Sequence, residues 1–241
     1  MKKINEIFNI FKVGLLMLLV LMYSSIPIFI FRIDFNSLSP IMQIVYYLVC
    51  DITFMLIIFL MYHKTFFHDV KEYFKDFKNN FEVSFKYWFA GFAVMVISNL
   101  LIAIFFTGAN AGNEENVRSM ISDAPIYMLF AVGIYAPFVE EMVFRKAFRE
   151  IFKSKYVYII MSGVVFGSLH VISSISSPSD LLYLIPYSAL GIAFASLYYK
   201  TDNIFSSMIM HSIHNTAAAL IYILGSGILW KSFLRLHLLY Y

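Results

Sequence analysis

Phe138-Val139-Glu140-Glu141-Met142-Val143-Phe144-Arg145 sets two adjacent carboxylates and a guanidinium inside an otherwise apolar run. An ionisable side chain at bilayer depth costs roughly 2.5–3.5 kcal/mol on insertion scales, so three together require a polar cavity with partners rather than lipid contact. The surrounding chain is a membrane protein by composition. Its 241 residues are 61% hydrophobic and only 14% charged, too apolar for one water-soluble domain. Six or seven runs reach the roughly 20 apolar residues that a spanning helix needs. The reading is all-α: a polytopic transmembrane bundle of seven to eight helices, residues 1–241 forming one integral domain.

Spans are expected at about Ile10–Phe31, Ile41–Tyr62, Tyr87–Phe106, Ala124–Phe144, Tyr156–Ile172, Leu181–Tyr199 and Ile204–Leu224. The first has no small-x-small cleavage site and reads as a retained anchor. Between the second and third, His63 to Lys86 interleaves five lysines with Phe66, Phe67, Tyr73, Phe74 and Phe77. This stretch reads as an interfacial amphipathic helix or a basic loop. Thr107 to Asp123, rich in Gly, Asn and Glu, reads as an exposed, mobile loop. Ser179 or Asp180 can cap the sixth helix. The tail 225–241 reads as an eighth helix or an interfacial one.

Lys and Arg gather at the N-terminus, at His63–Lys86 and at Arg145–Lys155, whereas Thr107–Asp123 and Ser173–Asp180 together hold only Arg118. The positive-inside rule then puts the N-terminus in the cytoplasm of a multi-pass cell-membrane protein. At 1.5 Å per residue, Glu140 lies about 8 Å from the cytoplasmic end of its span, His211 about 11 Å, Asn215 about 17 Å and His170 about 21 Å. Tilt, or a fifth helix that begins beneath the interface, is expected to bring His170 level.

Adjacent helical residues point about 100° apart, so Glu140 and Glu141 are not expected to face one point. Glu141 and Arg145, at i,i+4 with the acid first, form the favoured helical ion pair. That leaves Glu140 for chemistry. Pro137, three residues earlier, should kink the helix and leave a carbonyl to be satisfied locally. His211 and Asn215 share one helical face, with His214 reading as a packing histidine. Asp51, in mid-span, reads as a functional candidate or as a structural acid hydrogen-bonded to a neighbouring helix, the structural reading being favoured. Cys50, the one cysteine, reads as a small core residue and excludes a disulfide framework or a cysteine metal cluster. The net charge of +3 gives no case for nucleic acid.

Two mechanisms use such a set. In one, Glu140 is a general base on water, His170 orients that water, and His211 with Asn215 donates to the oxyanion. In the other, Glu140, His170 and His211 hold a divalent metal such as zinc. The metal-free version is favoured, with no cofactor, and the HExxH spacing of common zinc proteases is absent. Serine chemistry has no G-x-S-x-G to rest on.

At these residues the chain resembles the CAAX-protease and bacteriocin-processing (CPBP, or ABI) family of intramembrane proteases. The matching pieces are Glu140-Glu141-x-x-x-Arg145, Phe166-x-x-x-His170 and His211-x-x-x-Asn215, on separate spans, over a core of residues 126–223. The resemblance implies a polar cavity open to the cytoplasmic side and hydrolysis of a peptide bond in a membrane-associated peptide or protein. It implies Glu140 as acid/base, His170 as its partner on the water, and His211 and Asn215 as oxyanion donors, supported by Glu141, Arg145 and Phe166. The Lys/Ile/Asn/Phe-heavy usage looks bacterial, which points to bacteriocin or pheromone-type processing or self-immunity rather than prenylated substrates. The partners expected are substrate and the lipid bilayer. Two rival readings are a non-catalytic immunity or scaffold protein and a proton-relaying transporter, the latter weakened by the lack of an inverted repeat.

Overall fold

The computed structural model describes residues 2–106 and 111–228, and among these there is helix and turn but no strand. Nine helical elements follow in order: α1 (Lys2–Met22), α2 (Ser25–Phe31), α3 (Pro40–Lys75), α4 (Phe77–Phe105), α5 (Gly112–Asp123), α6 (Pro125–Ile151), α7 (Lys155–Ile172), α8 (Pro178–Thr201) and α9 (Ile204–Ser226). Seven are long and apolar enough to cross a membrane; α2 and α5 are the short ones. Residues 229–241, where an eighth helix was anticipated, lie outside the described residues.

Helix starts follow capping chemistry. The Ser39 hydroxyl accepts from the Met42 N–H ahead of Pro40 at the first turn of α3, and the Asn203 side chain accepts from the Ser206 N–H at α9. At α8 the cap is Ser177, not Ser179 or Asp180. Asp180 instead completes a capping box by accepting from the Ser177 N–H at 2.8 Å.

Two expectations are corrected here. His63 to Lys86 is neither an interfacial helix nor a loop: α3 runs unbroken for 36 residues and α4 begins at Phe77. No Gly or Pro interrupts residues 41–75, so the helix continues past the end of its apolar run, about 54 Å against a hydrocarbon core of about 30 Å. The turn closes where the Asn80 amide donates to the Tyr73 and Glu72 carbonyls at 2.9 and 3.3 Å. Residues 112–123, anticipated as loop, form α5. Its first turn carries Glu114 and Glu115, Glu114 pairs with Arg118 one turn on, and Ile121 buries its side chain with Val117 packed nearby.

The centre of the bundle is the crossing of α7 and α8. A Cβ on Gly163 would lie 2.6 Å from the Ile192 nitrogen, and one on Gly167 2.8 Å from the Ser188 nitrogen, so both positions need glycine. α4 closes on α8 through Gly91, and α1 and α3 cover α6 through Val13, Leu16, Phe54 and Ile58. The N-terminus and the α3–α4, α6–α7 and α8–α9 turns share one end of the bundle, here the basic end, and α5 lies at the other.

Candidate active site

The helix that carries the glutamates is α6, and it is not regular. It passes from α-helix (Pro125–Phe130) to a π-helical turn (Ala131–Tyr135), back to α-helix (Ala136–Glu140), into a second π-helical turn (Glu141–Ala147) and ends as α-helix (Phe148–Ile151). Such bulges are rare and gather at functional sites. Glu140 and Glu141 straddle the second junction. The carbonyl left without its usual donor by Pro137 belongs to Gly133, and the Ser212 hydroxyl of α9 donates to it. The expected local repair therefore comes from another helix. α9 sits close enough there that a Cβ on Gly133 would meet the Thr216 hydroxyl at 2.6 Å.

His211 meets both glutamates. Its Nδ1 is 3.0 Å from Glu141 Oε1 and its Nε2 is 3.6 Å from Glu140 Oε2. The expectation that the two carboxylates could not face one point is thus overturned: long side chains leaving a π-helical junction reach opposite nitrogens of one ring. Glu141 also pairs with Arg145 as anticipated, Oε2 to Nε 3.3 Å, both side chains 0% exposed. Oε2 of each glutamate is buried with no hydrogen-bond partner, but Glu141 Oε2 has the Arg145 guanidinium beside it, whereas Glu140, 19% exposed, has only His211 Nε2.

The aromatic residues hold this cluster in place. Arg145 lies 4.8 Å over Phe166 and 6.0 Å over Phe194, and its Nη1 donates to Ser162 Oγ at 3.1 Å. Ser162 in turn donates to the Phe144 carbonyl at 2.6 Å. His211 stacks on Phe194 at 5.0 Å and meets the edge of Phe166 at 5.9 Å. Ser162, Phe194 and Ser212 were not singled out from the sequence. Gly163-x-x-x-Gly167, a small-residue crossing motif, was the available signal that α7 and α8 meet beside them.

His170 stands one step away. Its Nδ1 donates to the Phe166 carbonyl at 2.9 Å, its ring lies 4.4 Å from Phe166, and it makes no ion-pair contact with a carboxylate among the described residues. With Nδ1 spent on a carbonyl, Nε2 is the nitrogen that offers a lone pair. The depth mismatch shrinks for a reason other than tilt. α6 continues to Ile151 rather than ending near Phe144, so on the same 1.5 Å count Glu140 lies about 16 Å and His170 about 22 Å from the α6–α7 turn.

Among the described residues no three His, Cys, Asp or Glu side chains converge as a metal-holding group. Glu140, His170 and His211 do not form such a group. Asn215, one turn beyond His211 on α9, is half-buried, and its amide has no partner among the described residues. His214 packs edge-on against Trp88 and Phe92. Asp51 accepts from Tyr23 Oη at 2.8 Å and Tyr127 Oη at 2.9 Å, and Cys50 is a buried free thiol.

Comparison with known proteins points to one family. Residues 122–217 match the family model described as Rce1-like, type II CAAX prenyl endopeptidase. The chain is 27% identical over 147 residues to YdiL of Bacillus subtilis (strain 168), described as a candidate membrane peptidase, covering 58% of this chain and 57% of that protein. It is 24% identical over 157 residues to the membrane-embedded CAAX protease MroQ of Staphylococcus aureus (strain USA300), covering 63% of each. UPF0177 protein YvdC of Lactococcus lactis is 27% identical over 145 residues, 56% of this chain and 53% of the relative. The chain spans less than two thirds of the length of these relatives. No solved structure matches. All three sequence motifs fall inside the matched stretch.

Proposed function

We propose that this protein is an intramembrane peptidase that hydrolyses a peptide bond in a membrane-associated peptide or protein, with Glu140 as the base on water. The observation that carries this reading is the buried, unpartnered Oε2 of Glu140, held beside His211 Nε2 in a cluster whose other charges are already paired. A carboxylate oxygen without a donor at that depth is costly unless something is meant to bring it a proton. His170, whose Nδ1 is held by the Phe166 carbonyl, keeps Nε2 as an acceptor for a water that also donates to Glu140.

Glu140 takes one proton from that water as its oxygen attacks the scissile carbonyl carbon. In its doubly protonated form His211 donates Nδ1–H to Glu141 and Nε2–H, together with the Asn215 amide, to the oxyanion. Glu140 then returns the proton to the leaving nitrogen as the C–N bond breaks. Similarity to membrane peptidases of bacteria supports a bacterial membrane setting, with a bacteriocin or signalling peptide as the substrate class.

The test is Glu140→Gln in the full chain, expressed in the membrane of a host lacking it, with membrane peptides compared by mass spectrometry. Processing should fall by about 10²–10⁴-fold while the variant accumulates normally. Identical peptide profiles would replace this reading with a non-catalytic binding or immunity role. Activity lost on chelation and restored by zinc would instead make Glu140, His170 and His211 ligands.

A further inference from the structure

Resting on the peptidase reading, we infer that Tyr187 is the positioning residue for His170. His170 lies in the last turn of α7, two residues before its end, where the Ser173–Ser177 connection begins. Helix ends fray, and an imidazole there needs support from outside its own helix if it is to hold a water in a fixed place. Phe166, one turn back, packs tilted against the ring at 4.4 Å, and Tyr187 of α8 stacks on the imidazole with centroids 5.1 Å apart and planes 25° from parallel.

Tyr187 is itself tethered. Its hydroxyl accepts from the Asn113 amide of α5 at 3.3 Å, and α5 is seated on the end of α7, where a Cβ on Gly112 would lie 2.9 Å from the Ser174 carbonyl. The line Asn113–Tyr187–His170 therefore joins a helix outside the spanning set to the ring that would orient water. Because Nδ1 is fixed on the Phe166 carbonyl, the remaining freedom of the imidazole is tilt of its plane, and that is what the stack restrains. His170 and Tyr187, with Gly112, Val171, Ser174 and Asp180, line a small cavity at this end of α7.

The predicted pattern separates positioning from filling. For a peptide whose processing depends on Glu140, Tyr187→Phe keeps the stacking face and should stay within about threefold of the parent protein. Tyr187→Leu removes the face and should lower kcat about 10- to 100-fold with KM unchanged, the scale expected when a reacting group is misplaced by about an ångström. Asn113→Ala should match Tyr187→Phe. Should Tyr187→Leu fail to accumulate, Tyr187→Met takes its place. Full activity in the Leu or Met variant, at parental folding, overturns the inference.

If no peptide depends on Glu140, the peptidase reading has failed and the inference is judged separately. The judging measurement is the ¹⁵N signals of His170 in the full chain in lipid nanodiscs, assigned with His170→Gln. The Nδ1-protonated signature should persist in both variants, with the His170 signals broadened by ring motion in Tyr187→Leu alone. The same spectrum in both variants would overturn the inference on its own.

Discussion

Two buried acidic sites in this bundle are built in opposite ways. Asp51 is 1% exposed and has no cation beside it, yet both of its oxygens are satisfied, one by Tyr23 of the α1–α2 connection and one by Tyr127 of α6. Its neighbours are neutral, its geometry is closed, and it ties α3 to two other parts of the chain. The Glu140–Glu141 site has an arginine, an imidazole and an aromatic wall, and still leaves two carboxylate oxygens without a hydrogen-bond donor, of which only that of Glu140 has no guanidinium beside it. The lesson is that depth and charge alone do not mark a site of chemistry. What separates a staple from a reactive group is whether its hydrogen-bonding capacity is already used.

That contrast can be broken most decisively at Arg145. Arg145→Leu leaves Glu141 uncompensated at 0% exposure and should cost about 3–5 kcal/mol in unfolding in mixed micelles. Adding Glu141→Leu should recover much of the loss without restoring function. A single variant as stable as the parent would mean that His211 alone carries Glu141. Asp51→Leu comes next. Two buried tyrosine hydroxyls lose their acceptor, at about 1–3 kcal/mol each, and processing by the molecules that fold should be preserved. Combining it with Tyr23→Phe and Tyr127→Phe should restore most of the stability, as a staple requires and a proton carrier does not. The smallest effect is expected at Ser212→Ala, which removes the donor to the Gly133 carbonyl and should cost about 1 kcal/mol.

The sequence was informative wherever physical cost was local. Charge inside α6, spacing on α7 and α9, and the Pro137 defect could all be reasoned from single stretches. It was misleading where hydropathy stood in for geometry. The apolar run of α3 ends near Tyr62, but hydropathy reports where lipid ends and the helix ends only where its hydrogen bonding stops, at Asp76. Arg145 was treated as the boundary of its span because it is charged, although it is buried against Phe166, and this error produced most of the depth mismatch. The two glutamates were kept apart by a rule for regular helices that a π-helical junction does not obey.

That junction has a broader consequence. Each π-helical turn in α6 works like a vernier, putting the regular pieces on either side out of step, so the rotational phase of Pro125–Phe130 is independent of that of Phe148–Ile151. The lipid-contacting pattern at one end could drift through substitution without turning the acidic pair away from the histidine. A rod with perfect periodicity would have to keep both ends in agreement.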